Sequence, residues 1–487
     1  MAKKVLVFFS LSLIFLGAPL TISAQEAEEQ AAEESMPVGY EPEVSEEDGK
    51  VNLITGFSSA VVPLVFIGSW NRFVSRASWA KVKWEDVNHY RKLEFDDDWY
   101  WTNFVLHPYQ GALAYMGARN SNFGTLGSFG ISVLSSTIWE FFCEKNAPSI
   151  NDMVYTTVGA FAVGEMLYRL SIDGSDLWKP LGYVLNPMRL YTDFTTGHKP
   201  NGPHNNIYKL SLRSYMNATY GVTYPKEGND NLEELYPGLL GIETNVEYRD
   251  PYGHDSNSPY SSFELTFGGG VGAPSGKGYR EIEKKVAYDI HIFSNGMILS
   301  RSIPEEINTD TTWGLVMDYD FMLNSFCDFS SLAPGFAFKQ RRHFDHSYIE
   351  YQAHLDFLLL GTTDMFYTRR QDYYPLLVSD EDRSYSYTMG AEAVGTFKWF
   401  WENGDMLSFA LHSYFMFDLP DPDKDHEARG FEWVNYFNAG YEVPLTNSVA
   451  IGFENTLYYK KSLYSNYPDM DAFSYTAGMY AKYKFKE

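Results

Sequence analysis

Cysteine is scarce in this chain, and so is positive charge. Only Cys143 and Cys327 occur among 487 residues, too few for a disulfide scaffold. Two free thiols are the favoured interpretation, and a pair formed in an oxidising compartment is the alternative. Lys and Arg number 38 against 63 Asp and Glu, so the net charge is −25. This excess argues against a nucleic-acid partner, because clustered Lys and Arg bind phosphate backbones.

Long apolar runs are also missing beyond the N-terminus. The run Val5–Leu20 follows Lys3 and Lys4 and ends in small residues, which predicts a secretory signal over residues 1–24. After it, no uninterrupted run reaches the roughly 20 residues that a membrane-spanning helix needs, so none is predicted. Residues 25–50 are rich in Glu and poor in apolar groups, and this composition predicts a disordered acidic segment.

Alternation of apolar and polar residues fills the C-terminal half of the chain. From Tyr475 to Phe485, for example, every second residue is apolar, and the residues between them are Thr, Gly, Tyr or Lys. Side chains of a strand alternate between its faces, so each segment has one apolar and one polar face. About a dozen such segments behind a secretory signal predict an antiparallel transmembrane β-barrel of about 12 strands over residues 205–487. A soluble β-sandwich is the alternative.

Turn chemistry supports hairpins between these strands. Asn295-Gly296 and Asn403-Gly404 each join alternating runs, and Asn-Gly suits a type I′ turn. One longer link, residues 418–427, is strongly acidic. A solvated loop is the favoured interpretation of that link, and a calcium site without EF-hand spacing is the alternative.

Residues 51–200 have a helical period instead. Phe129–Lys145 and Asn151–Leu170 repeat apolar residues at three- and four-residue spacing, which predicts two helices joined by a short turn. Ser149 is placed to cap the second helix, with Asp152 three residues later. The small residues of Gly159–Gly164 offer a surface on which another backbone can approach closely.

Ionisable residues are dense in this helical region. Glu140 and Glu144 lie four apart on one helix face, where like charges repel unless a cation, a shared proton or Arg119 neutralises them. With His107 they could form a carboxylate-rich metal site or a general acid/base pair, with Asp152 as a further catalytic candidate. The alternative is structural: His107 capping a helix, Asp152 in a capping box, and Glu165 with Arg169 as a surface ion pair.

The inward parity of the predicted barrel also carries charge. A wet lumen explains these residues without catalysis, while a nucleophilic triad with a serine at one rim is the alternative, although no motif singles out a serine. The residues are Asp289, His291, Asp318, Asp320, Glu350, His354, Asp356, Glu392, His412 and Glu454.

Four motifs between Trp99 and Arg169 carry a family resemblance. They are His107-Pro108-Tyr109-Gln110-Gly111, Trp139-Glu140-Phe141-Phe142-Cys143-Glu144, Pro148-Ser149-Ile150-Asn151-Asp152 and Gly164-Glu165. Together they resemble the domain-of-unknown-function family 3943 of bacterial envelope proteins, which implies an envelope location and no particular activity. The order of a His, a Glu-bearing helix, Ser, Asp and a Gly-rich helix is remotely similar to VanZ-like membrane proteins.

These features predict an outer-membrane barrel of a Gram-negative bacterium, with a helical domain in the periplasm or plugging the lumen. The favoured function is a non-enzymatic envelope component or a gated conduit for a small solute or lipid. A lipid- or envelope-modifying hydrolase that uses carboxylates and histidine of the helical domain or lumen is the alternative. Outer-membrane lipid is the expected partner, with a periplasmic protein and an unidentified small molecule as further candidates. No cofactor is predicted, apart from the divalent cation that the carboxylates could hold.

Overall fold

A computed structural model describes most of the chain after the acidic N-terminal segment. The described residues are 50–84, 86–88, 93–197, 205–225, 232–273, 286–306, 308–369, 383–419 and 429–486. The predicted signal peptide, nearly all of the predicted acidic segment, and Asp421, Asp423, Asp425 and Glu427 of the acidic link lie outside these residues.

The region before the barrel is helical. Its α-helices are α1 Leu53–Ser58, α2 Val62–Ser69, α3 His107–Asn120, α4 Thr125–Ile138, α5 Ile150–Val154, α6 Ala160–Leu177, α7 Lys179–Leu185 and α8 Met188–Thr196. Wider π-helical turns extend four of them, at Trp70–Val74, Thr102–Leu106, Trp139–Cys143 and Tyr155–Gly159. Ser149 caps α5 as predicted, because its Oγ accepts a hydrogen bond from the Asp152 N–H at 3.2 Å.

Small residues let α3 and the segment leading into α6 approach closely. A Cβ on Gly111 would lie 1.8 Å from the Thr156 carbonyl oxygen, and one on Gly164 would lie 2.9 Å from the Tyr115 ring. No larger side chain fits at Gly111 unless the backbone moves, so the small-residue surface serves helix packing.

The expectation that no helix is long and apolar enough to span a membrane is wrong. Leu53–Val74 and Thr125–Cys143 meet that length and composition, with mean hydropathies of 1.7 and 1.3. The first consists of α1, the turn at 59–61, α2 and a π-helical turn, and the second consists of α4 and a π-helical turn. About a third of the first window and 39% of the second is buried. Polar residues interrupt both helices, which is why a search for uninterrupted apolar runs misses them.

Twelve antiparallel strands among the described residues close into a barrel, which confirms the predicted fold class. They are β1 Ile207–Pro225, β2 Leu232–Tyr248, β3 Phe263–Gly272, β4 Ala287–Glu306, β5 Thr309–Asn324, β6 Asp328–Phe344, β7 Ser347–Asp364, β8 Tyr385–Trp401, β9 Met406–Asp418, β10 Gly430–Pro444, β11 Val449–Tyr464 and β12 Met470–Lys486. A four-residue helix, α9 (Phe366–Arg369), follows β7. Pairing of β1 with β12 leaves no open edge.

One of the two predicted Asn-Gly turns is wrong. Asn403-Gly404 does join β8 to β9, with Gly404 at φ +84°. Asn295-Gly296 instead lies inside β4. Asn295 turns into the lumen and accepts a hydrogen bond from Lys339 Nζ at 2.8 Å. A Cβ on Gly296 would lie 2.1 Å from the Tyr260 ring, so glycine is required by that close approach and not by a turn.

The helical region packs against the outside of the barrel wall. Asp318, Asp320 and Met322 of β5 line the lumen; Tyr319 and Phe321 have the opposite parity and form one core with Phe104 and Tyr155 of the helical region.

Hydrogen bonds join the same surfaces. The Tyr319 hydroxyl donates to the Phe104 carbonyl oxygen, and the Tyr155 hydroxyl donates to the Leu360 carbonyl oxygen at 3.0 Å. The described helices therefore flank the barrel, because they pack on outward-facing apolar side chains of β2 to β8. This position contradicts the alternative that they plug the lumen.

A buried ion triad holds the helical region together. Glu165 is fully buried, and its carboxylate accepts hydrogen bonds from Arg119 Nε at 2.8 Å, Arg169 Nε at 2.9 Å and the Tyr115 hydroxyl at 2.9 Å. The predicted Glu165–Arg169 pair is thus buried and not on the surface. Arg119 is committed here and not to Glu140.

Glu165→Gln should destabilise the helical region by roughly 3 kcal/mol, because two guanidinium groups lose the charge that compensates their burial. Urea unfolding followed by helical circular dichroism measures the change. Glu402→Gln, in the exposed β8–β9 turn, is the control and should leave the midpoint unchanged. Equal midpoints for the two variants would contradict the structural role of the triad.

Candidate functional site

A polar chamber of about 370 Å³ lies inside the barrel. It has room for roughly a dozen waters at their liquid volume. Seven of the ten inward residues predicted from parity line it: Asp289, His291, Asp318, Asp320, His354, His412 and Glu454. The other three lie on the same lumen face, where Glu350 pairs with Arg341, Glu392 with His412, and Asp356 stands beside His354.

One side of the chamber is built around Arg213 of β1. Its guanidinium contacts Glu243 at 2.8 Å and Glu454 at 2.5 Å. His291 lies between two carboxylates, with Nδ1 2.8 Å from Asp289 and Nε2 3.1 Å from Glu243. Acidic groups therefore outnumber the fixed positive charge on this side.

The opposite side repeats the pairing of histidine with carboxylates. His354 Nδ1 lies 2.8 Å from Asp318, while His412 Nδ1 lies 3.1 Å from Asp320 and 3.8 Å from Glu392. Two groups place their ligand atoms within 4.8 Å of one another: Asp318, His354 and Asp356, and Asp320, Glu392 and His412. In the hydrogen bonds of the described residues, these histidines contact carboxylates and a Tyr hydroxyl but no serine. The geometry thus gives cation ligands and no assembled nucleophilic triad.

Aromatic rings close the chamber on one side. Phe293 of β4 stacks on Tyr436 of β10 with ring centroids 5.5 Å apart. These strands are six positions apart around twelve, so the rings meet across the lumen. The ring of Phe329 of β6 lies at a tilt to the ring of Tyr414, with centroids 5.1 Å apart. Phe329 also belongs to a buried apolar cluster that includes Phe366. We call Phe293, Phe329, Tyr414 and Tyr436 the aromatic layer.

Ion pairs cross the lumen in a second layer. Lys398 of β8 lies 3.5 Å from Glu247 of β2, again six strands away, and Lys209 lies 3.0 Å from the same carboxylate. Arg341 pairs with Glu350 and Asp250, each at 2.7 Å. Positive and negative groups are matched here, unlike in the chamber. We call Lys209, Glu247, Lys398, Arg341 and Glu350 the ionic layer.

A second candidate site lies in the helical region, where His107 and Asp152 come together. His107 Nε2 is 3.6 Å from Asp152 Oδ2, and both side chains are buried. His107 begins α3 but makes no capping hydrogen bond, so the capping alternative is wrong for it. Both of its ring nitrogens are buried and have no hydrogen-bond partner.

Glu140 and Glu144 turn towards different donors. Glu140 Oε2 accepts a hydrogen bond from the Ser149 N–H at 2.8 Å and so takes the place of Asp152 in the second half of the predicted capping box. Glu144 Oε1 accepts one from the Trp139 indole N–H. Burial, and then the negative charge of Glu140, raise the pKa of the Glu144 carboxyl. The two carboxylates are thus held by local donors.

Asp96 and Asp98 complete this site and were missed in the sequence. Their carboxylate oxygens lie within 4.8 Å of each other and of a His107 ring nitrogen. Asp96 Oδ1 accepts hydrogen bonds from Asn103 at 2.7 Å, Asn151 at 3.0 Å and the Tyr387 hydroxyl at 3.1 Å. The two aspartates precede the helices in irregular chain, so no periodicity marks them.

Two candidates from the sequence remain: the pair of cysteines and the acidic link after β9. Cys143 lies in the helical region and Cys327 at the lumen, and they form no disulfide with each other. Asp418 ends β9, but the other acidic residues of its link lie outside the described part of the chain, so the calcium alternative stays a prediction.

Solved structures that resemble the chain include a transporter, an outer membrane channel and the transport unit of an autotransporter. The toluene transporter TodX of Pseudomonas putida is 7% identical, with a TM-score of 0.24, over 58% of this chain and 91% of that one. An outer membrane channel from P. putida F1 is 10% identical, with a TM-score of 0.31, over 59% and 100%. The transport unit of the autotransporter AIDA-I from Escherichia coli is 10% identical, with a TM-score of 0.27, over 59% and 93%.

Two further comparisons concern the whole chain and its helical region. No curated protein matches it. The helical region does have a counterpart among known families, and the match confirms the resemblance carried by the His107-Pro108 and Trp139-Glu140 motifs. Residues 92–178 match the family described as "Domain of unknown function (DUF3943)".

Proposed function

We propose that the protein is an outer-membrane conduit for small polar solutes, cations in preference to anions, held in a closed state. The observation that carries this proposal is the chamber: a polar cavity rich in carboxylates, bounded by an aromatic layer and an ionic layer that each cross the lumen.

Hydrocarbon contact of the barrel is supported by its outward face. Side chains such as Leu240, Phe453 and Met479 are about half exposed or more and share the outward parity. In water each would leave apolar surface exposed, at a cost of roughly 25 cal/mol per Å². A contiguous band of this kind is typical of a surface that faces lipid.

We propose that the helical region also contacts the hydrocarbon of the membrane. It packs on outward-facing side chains of β2 to β8. It also exposes apolar residues of its own, including Ile54, Phe66 and Phe73, which are 85%, 73% and 70% exposed. These three lie on Leu53–Val74, one of the two helices long enough to span a bilayer. We infer that the helices lie beside the barrel in the same membrane and neither in the periplasm nor in the lumen.

Cysteine accessibility tests this placement. In a chain with Cys143 and Cys327 replaced by Ser, Phe66→Cys and Phe453→Cys should resist a membrane-impermeant maleimide in open outer-membrane fragments and react after detergent is added. Asn403→Cys, in the exposed β8–β9 turn, is the control and should react in both conditions. Reaction of Phe66→Cys without detergent, while Phe453→Cys stays protected, would place the helices in water and contradict the inference.

Current through planar bilayers tests the conduit itself. The full-length protein should show rare, brief openings that favour K⁺ over Cl⁻, because the aromatic layer is the main barrier and the ionic layer narrows the lumen further. A variant that disrupts both layers, Phe293→Ser with Lys398→Met, should conduct. If that variant is folded, as shown by heat-dependent mobility in gels, and carries no current, the conduit proposal fails.

A further inference from the structure

We propose that the helical region holds one divalent metal ion, ligated by Asp96, Asp98 and His107 with Asp152 beside them. This site is separate from the lumen and does not depend on the conduit. Its ligand atoms lie within 4.8 Å of one another. Metal–ligand bonds of about 2.0–2.2 Å place ligand atoms at most about 4.4 Å apart, so only a small inward movement is needed to bind an ion.

His107 is the observation that points to a ligand. It is 6% exposed, and neither ring nitrogen has a hydrogen-bond partner. A buried imidazole normally donates from one nitrogen, because an unsatisfied polar group costs about 1–3 kcal/mol. A metal bound to one ring nitrogen would satisfy one of the two.

Charge also favours a cation here. Asp96, Glu140, Glu144 and Asp152 lie close together, and none of them pairs with Lys or Arg in the ion pairs of the described residues. Arg383 is nearby but bonds to Asp97 and to the Asp96 carbonyl oxygen. Several carboxylates near one buried point require a compensating proton or ion.

Surrounding residues are placed to orient the ligands. Asn103, Asn151 and Tyr387 all donate hydrogen bonds to Asp96 Oδ1, which fixes the carboxylate. Asp98 is exposed and gives an ion access from solvent. The carboxylates of Asp96, Asp98 and Asp152 and the His107 imidazole suit Zn²⁺ or Mn²⁺. None of these four residues is Cys, so the site does not suit ions that prefer thiolate ligands. Since Tyr387 belongs to β8, the site joins the helical region to the barrel wall.

Metal titration of the full-length protein in detergent tests the proposal. After chelation and removal of the chelator, Zn²⁺ is titrated by calorimetry and Mn²⁺ by electron paramagnetic resonance. The lumen groups around His354 and His412 could bind the same ions, so the reference is the double variant His354→Ala with His412→Ala. That reference should bind one equivalent, and adding His107→Ala should abolish it.

Two further variants keep the test independent of folding. Asp98→Asn alters an exposed side chain and should weaken binding at least about tenfold, while His346→Ala, in an exposed pair with Glu402 at 2.7 Å, should leave binding unchanged. Unchanged stoichiometry after His107→Ala, or unchanged affinity after Asp98→Asn, overturns the proposal. If the conduit proposal is wrong, the metal binding expected of the His107→Ala and Asp98→Asn variants stays the same. The two proposals can therefore be rejected independently.

Discussion

Serine at both Phe293 and Phe329 should turn a nearly silent barrel into one that conducts steadily, with mean current rising at least about tenfold. Apolar constrictions exclude water and ions even when they are not sealed by contact. These two rings join strands β4 and β6 to β9 and β10 across the lumen. Removing both replaces an apolar barrier with small hydroxyl groups that water can wet.

The measurement is single-channel current in planar bilayers at fixed voltage. The matched control is Phe453→Ser, which removes an aromatic ring from the outward face of β11 and touches no lumen residue. It should leave the current at the level of the unmodified protein. Equal currents from the double variant and the control would show that the aromatic layer is not the barrier and would leave only the ionic layer to close the lumen.

The barrel was predictable because its signal is local. A period of two fixes which side chains share a face, so residues such as Asp318 and His354 could be assigned to the lumen from the sequence alone. Their partners could not. Contacts such as Phe293 with Tyr436 join strands more than 140 residues apart, and they depend on closure of the sheet.

The sequence alone could not place the helical region against the outward face of the barrel, and the reason is physical. Tyr319 and Phe321 are apolar on the outward face whether lipid or another helix covers them. Apolar parity therefore cannot distinguish a lipid-facing wall from a wall that carries a domain. The Asn295-Gly296 error has a similar origin, since glycine serves close approach by Tyr260 as readily as it serves a turn.

The candidate site in the helical region was only half predictable. His107, Glu140 and Asp152 stand at helix ends or on helix faces, where spacing relates them to one another. Asp96 and Asp98 reach the site through chain without regular structure, and Tyr387 reaches it from a strand nearly 300 residues away. Arg119 was a candidate partner of Glu140 but is held by Glu165, which lies on α6.

Neutralising chamber carboxylates should reduce the preference for cations without closing the pore. In the Phe293→Ser, Phe329→Ser background, Asp289→Asn should lower the K⁺ to Cl⁻ permeability ratio by a factor of about five, because one unit charge at contact distance contributes about 1 kcal/mol even in water. Asp289 lines the chamber, and its Oδ2 lies 2.8 Å from His291 Nδ1.

Reversal potentials in a KCl gradient measure this ratio. Glu402→Gln in the same background is the charge-matched control, because it removes one carboxylate from an exposed turn outside the lumen. Its reversal potential should not change. A ratio that stays constant in Asp289→Asn, or that shifts equally in the control, would mean that ions do not pass the chamber carboxylates. The current would then run by another route, and the chamber would lose its role in selection.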